Sequence, residues 1–355
     1  MSSTPLRTGR AAALALLAAC AGGAPRAPSP AAIMHTAQQS GTDALLIAVS
    51  AVNDRVAWVS GTKGSYARTL DGGATWQAAQ VPGADSLQFR DVHAVSADTA
   101  YLLSIGSGAL SRIYKTGDGG RHWTLQFTNT DPHEFYDCFD FWSAQRGIVV
   151  GDAVDGRVGL LTTTDGGAHW TSPPAAERPH AAQGEGSYAA SGTCVVTQRG
   201  GSAWITAATA GTSRLLHTTD YGRTWSADTL PVTTREGAGV QSVAFRTARD
   251  GMAMAGGNAA RAGDRVVATT RDGGRRWTLA GSPPFATGIW GGVYVPGAQA
   301  PTVVAVGPHG AAYSRDDGAT WTVIDTLDYW GVGVSSPHAG WAVGLHGRIT
   351  KLAGF

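Results

Sequence analysis

One octapeptide pattern recurs six times along this 355-residue chain, and no other feature restricts the fold so tightly. The first copy runs Thr69-Leu70-Asp71-Gly72-Gly73-Ala74-Thr75-Trp76. The others centre on Asp118, Asp165, Asp220, Asp272 and Asp316, and all fit S/T-x-D-x-G-x-x-W. Their tryptophans fall at positions 76, 123, 170, 225, 277 and 321, so the steps are 47, 47, 55, 52 and 44 residues. A period of about 40–50 residues is that of a four-stranded β-propeller blade. The 49 glycines and 12 tryptophans suit an all-β chain with many tight turns.

The repeat has a local physical role. Each Asp carboxylate can accept hydrogen bonds from the backbone N–H groups just ahead of it, closing an Asx-type turn. Gly supplies the positive φ the hairpin needs. Trp offers a large apolar surface to fill the gap between neighbouring blades. The six Asp are therefore read as structural. An apolar strand ending near Gly precedes the copies, as at residues 56–61, 147–152, 251–256 and 302–307. The phrase returns at residues 340–349 with no octapeptide after it. Six full blades and one truncated blade predict an all-β, seven-bladed β-propeller of four-stranded antiparallel blades over residues 41–355. An open blade edge invites aggregation. Residues 33–39 are expected to supply the missing outer strand.

The N-terminus reads as a targeting segment. Arg7 and Arg10 precede an Ala/Leu run over 11–19, too short to span a bilayer but suited to a signal-peptide core. The run ends Leu17-Ala18-Ala19-Cys20, which resembles the bacterial lipobox. That resemblance implies a signal peptide over 1–19 and a lipidated Cys20. Residues 20–40 then form a lipidated N-terminus and flexible tether. Each buried acyl CH₂ contributes about 0.8 kcal/mol to such an anchor. The chain is expected to be exported and lipid-anchored to a membrane, facing the periplasm or another extracytoplasmic space.

Formal net charge is +1, which gives no general attraction to nucleic acid or anionic lipid. The sequence contains no G-x-S-x-G elbow, P-loop, H-E-x-x-H or dinucleotide fingerprint, and no C-x-x-C pair. No metal and no cofactor are expected. Aligning the innermost strands stacks Leu45, Asp91, Asp137, Ser191, Gln241, Trp290 and Trp330 in one column, with Arg90, Tyr136 and Glu185 beside it. Inner strands and their leading loops line one mouth of a propeller channel, and such loops carry function on a rigid scaffold. Arg90, Asp91, Tyr136, Asp137, Glu185, Gln241, Trp290 and Trp330 are thus candidate partner-binding residues. Asp137 and Glu185 are the alternative: a glycosidase couple, if they stand about 5–10 Å apart. Cys138 and Cys194 fall on inner strands of adjacent blades. Their registers differ by about two residues, so buried free thiols are expected.

The octapeptide is the Asp-box, or BNR repeat. Six boxes, a truncated seventh blade and the lipobox together resemble the Ycf48-like family in its lipoprotein form, over residues 43–355. Members of that family are seven-bladed propellers that help assemble photosystem II. The resemblance implies a non-enzymatic extracytoplasmic scaffold, monomeric, presenting its mouth to a membrane or extracytoplasmic protein or peptide. Asp-boxes also occur in sialidases and xyloglucan-type glycosidases. A sialidase carries F/Y-R-I-P ahead of its first box. Here the nearest phrase, Phe89-Arg90-Asp91-Val92, lacks the I-P and follows the first box. Xyloglucan-type enzymes use two propellers, and this chain holds one.

Overall fold

The computed structural model describes residues 1–4, 32–285 and 288–355. Residues 5–19 of the expected signal peptide, Cys20 and most of the tether lie outside the described residues. Among the described residues, 27 strands form seven antiparallel sheets arranged as a seven-bladed β-propeller. The innermost strands are Leu46–Ala51, Phe89–Ala94, Tyr136–Phe141, Val195–Gln198, Gly239–Phe245, Gly291–Tyr294 and Gly331–Ser336, which define blades 1 to 7.

Six of these sheets have four strands. In blade 3 the outermost strand shrinks to one bridge, Thr162 to Thr171. Ser172-Pro173-Pro174 follows, and proline has no N–H to continue the ladder. Blade 7 is closed by the N-terminal strand Met34–Gln39, which pairs along its whole length with Arg348–Ala353. The two ends of the propeller thus share one sheet.

Each box joins the third strand of a blade to the fourth. In the first, the Thr69 hydroxyl donates to Asp71 Oδ1 and accepts from the Gly73 N–H. Asp71 in turn accepts from the Thr75 N–H and hydroxyl, at 2.9 and 2.6 Å. Those two bonds hold its carboxyl down at about 2. The box then docks on the preceding blade. Trp123 of blade 2 packs against Trp58 and Tyr66 of blade 1, with ring centroids 6.2 and 5.0 Å apart, and the Tyr66 hydroxyl donates to the Gly120 carbonyl. Trp76 of blade 1 donates to Gln38 of the closing strand and meets Trp341 of blade 7 edge-on. The same motif that turns the chain therefore fastens one blade to the next, around to the closure.

The glycine late in the second strand has a steric reason. A Cβ at Gly61 would stand 2.1 Å from the Leu45 carbonyl, and one at Gly151 would stand 2.1 Å from the Phe135 carbonyl. At these points the chain leading into the inner strand crosses close to the second strand. The Thr62 and Asp152 N–H groups bond those same carbonyls.

Candidate functional site

Inner strands begin at one end of the channel, and four begin with a register shift. The bulges lie between Leu46 and Ala48, Phe89 and Asp91, Tyr136 and Cys138, and Val240 and Ser242. The extra residues are Ile47, Arg90, Asp137 and Gln241. A β-bulge re-aims the side chain it inserts. Three of the four, Arg90, Asp137 and Gln241, line a cavity of about 400 Å³ at this mouth. Trp290 and Trp330, immediately ahead of the inner strands of blades 6 and 7, complete its wall. Their rings meet edge to face at 4.4 Å, and the Arg90 guanidinium lies 4.9 Å from the Trp330 centroid. The boxes join strands at the opposite face, so the repeated residues and the mouth are on different sides of the disc.

The floor of the cavity is a loop, and the sequence reading missed its role. Residues 186–193, leading into blade 4, cross the channel. Ser187 donates to the Thr206 carbonyl of blade 4, and Arg90 of blade 2 donates to the Ala189 carbonyl. Ser191 donates to the Trp290 carbonyl of blade 6, and Thr193 donates to Ser242 of blade 5. Gly192 sits against Asp91 of blade 2, where an added Cβ would come within 2.3 Å of the carboxylate. Ser187 to Ala190 face the mouth. Ser191 to Thr193 face a second cavity, of about 300 Å³, where the inner strands end. The loop is therefore a plug that separates the two ends of the channel.

Both ends of the plug are anchored. Glu185, 2 % exposed, takes Arg214 Nε at 2.6 Å and the Ala182 N–H at 2.9 Å. At the other end Cys194 is bonded to Cys138 in a buried disulfide with Cα atoms 6.1 Å apart. The expected free thiols are thus corrected. The bulge at Asp137 absorbs part of the register difference between the two cysteines.

Five of the eight expected mouth residues converge: Arg90, Asp137, Gln241, Trp290 and Trp330. Three do not. Asp91 lies below the plug, its carboxylate accepting the N–H groups of Val92 and Phe139 at 2.8 Å each and so linking blade 2 to blade 3. Burial pushes it well above the usual carboxylate range. Tyr136 is a core residue that packs on Phe127 and donates to Glu134. Glu185 is the plug anchor. The Asp137–Glu185 hydrolase couple is therefore replaced by a different neighbour. Asp152, within the second strand of blade 3 (Gly147–Val154), faces the same cavity as Asp137. Its signal in the sequence was position alone, directly after Gly151.

Burial raises the Asp152 carboxyl to about 6, against a hydrogen bond from the Ser187 N–H. Burial also pushes Asp137 well up, Asp152 adds to the rise, and Arg90 opposes it. Asp137 is 2 % exposed, and its Oδ2 has no hydrogen-bond partner among the described residues. Trp290 Nε1 and Arg90 Nε are likewise buried and unpartnered. Unsatisfied buried polar atoms are uncommon and costly. Three at one cavity leave acceptor and donor capacity for a ligand. No group of His, Cys, Asp and Glu that could hold a metal ion occurs among the described residues.

Fold and site define the class: a seven-bladed β-propeller with a plugged channel and a polar, aromatic-walled mouth. No protein-family model matches the chain, and no curated protein matches it. Solved structures do. A YCF48 bound to a D1 peptide is 17% identical at a TM-score of 0.64, over 90% of this chain and 96% of that one. YCF48 from Cyanidioschyzon merolae is 16% identical at a TM-score of 0.66, over 91% and 99%. The GH74 xyloglucanase from Xanthomonas campestris is 17% identical at a TM-score of 0.59, over 89% of this chain and 53% of that one. At these identities the likeness shows the fold alone.

Proposed function

We propose that the protein is a non-enzymatic binding module that holds a segment of another protein in the mouth formed by Arg90, Asp137, Asp152, Gln241, Trp290 and Trp330. The observation that carries this reading is the buried, unpartnered Oδ2 of Asp137 at the wall of that cavity, which the unpartnered Trp290 N–H also lines. Two aromatic rings and an arginine, the residue types most enriched at interface hot spots, surround it. The YCF48 with a bound D1 peptide lends support by analogy of fold. The lipobox-like segment ending at Cys20 supports export and anchoring of one monomer at a membrane. A buried disulfide between blades fits an oxidising compartment outside the cytoplasm.

The test is affinity capture from the native membrane with full-length protein, followed by mass spectrometry. Wild type should retain a partner that Trp330→Ala and Arg90→Glu each lose, while circular dichroism and melting stay those of a folded propeller. Equal capture by the wild type and both folded variants would remove the mouth from the binding surface.

A further inference from the structure

The mouth brings two carboxyl groups to one cavity wall. Asp137 and Asp152 both face it, and the Asp137 Oδ2 is unpartnered at 2 % residue exposure. The nearby cation lowers the cost of the Asp137 charge but makes no hydrogen bond to either carboxyl. Arg90 spends Nη1 on the Ala189 carbonyl at 3.0 Å and Nη2 on Gln88 at 3.2 Å, and its guanidinium lies over Trp330. It forms the side of the plug and steadies the aromatic wall, leaving the two carboxylates to whatever enters. An anionic ligand would meet both of them in a partly desolvated space. A purely apolar ligand would bury both still further and leave the Asp137 Oδ2 without a partner, which is unfavourable. A basic group removes both penalties. The facing Trp290 and Trp330 rings suit the methylene stem that carries such a group, since a lysine stem packs on apolar surface while its ammonium reaches polar partners. A backbone carbonyl of the same segment would accept the Trp290 N–H. About 400 Å³ admits one long side chain and its backbone, not a folded domain.

We propose that the mouth seats a basic group of the bound segment, a lysine ammonium or an N-terminal amine, against Asp137 and Asp152; this rests on the mouth being the binding site. Discrimination comes from the two carboxylates, and area comes from the two tryptophans.

The experiment presents immobilised full-length protein with a random-sequence decapeptide library and sequences what is retained. Wild type should enrich lysine, or peptides with a free amino terminus, at least threefold over the input. Isolated lysine peptides should bind at least tenfold tighter than their norleucine counterparts. Asp137→Asn should abolish the enrichment. Asp152→Asn, a second and milder change, should reduce it in a protein that still melts cooperatively and no lower than wild type. Enrichment of acidic or apolar peptides, or a lysine preference that survives both variants, overturns the inference yet leaves peptide binding standing. Retention of no peptide class at all overturns the inference and the mouth-binding reading together.

Discussion

Asp152 illustrates what a residue at this mouth costs the fold. Its carboxyl titrates near 6 when folded, against about 3.9 in an unfolded chain. The sign follows from proton counts. Between pH 4 and 6 the unfolded chain has released this proton and the folded one has kept it, so stability falls as pH rises. Above pH 6 the loss is complete, at most about 3 kcal/mol. Asp152→Asn is therefore expected to raise the melting temperature at pH 8, with the gain shrinking to nothing by pH 4. Thermal melts across that range check it, and a gain that does not change with pH would mean that the effect is steric. Stability given up at a site is a common mark of function. This residue was not legible beforehand. Asp137 and Gln241 were, because they fall at the start of inner strands, whereas Asp152 comes from a second strand. Asp91 was misplaced by one position, because the bulge that inserts Arg90 moves every later residue of that strand to the other face.

Among the elements, the plug of residues 186–193 decides how the channel works. Its sequence, Gly186-Ser187-Tyr188-Ala189-Ala190-Ser191-Gly192-Thr193, has no periodicity that marks it as more than a loop. Only the placing of the surrounding blades, 2, 5 and 6 as well as 3 and 4, supplies its hydrogen-bond partners. The Cys138–Cys194 bond ties its end to blade 3 across a sequence separation of 56. Chain-entropy arguments give such a cross-link about 4 kcal/mol. The double variant Cys138→Ser/Cys194→Ser is expected to lose stability up to that amount. Its amide exchange should quicken first over residues 186–196, before the outer strands. Uniform quickening across all blades would mean that the bond serves the whole ring rather than the plug. Glu185 was expected at the mouth because it precedes the same strand. Its pairing with Arg214 shows that its charge is spent inside the element.

Across the whole molecule, closure is the decisive event. Met34–Gln39 completes blade 7, and Gln38 on that strand also receives the Trp76 indole N–H of blade 1. A chain lacking residues 1–39 should melt roughly 5–10 °C lower than one lacking residues 1–31, on a scale of about 2–4 °C per kcal/mol for domains of this order. It should also self-associate in size-exclusion chromatography through the bared edge of Arg348–Ala353. Equal melting and elution of the two truncated forms would show the closing strand to be dispensable.

The sequence by itself determined the blades. A box every 44 to 55 residues is a local signal: hydroxyl, carboxylate, glycine and tryptophan within eight positions fold one hairpin whatever surrounds them. The seven-fold count and the need for a closing strand follow from repeating it. The mouth was decided by the tertiary structure alone. Its members come from five blades and a plug, and bulges that no periodicity announces choose which side chain turns inward. Hydrogen-bond partners and burial at such a place depend on residues about a hundred positions apart, as Arg90 with Ala189 and Ser191 with Trp290 show. A repeat specifies what every blade shares, and the chemistry of this protein lies in what the blades do not share.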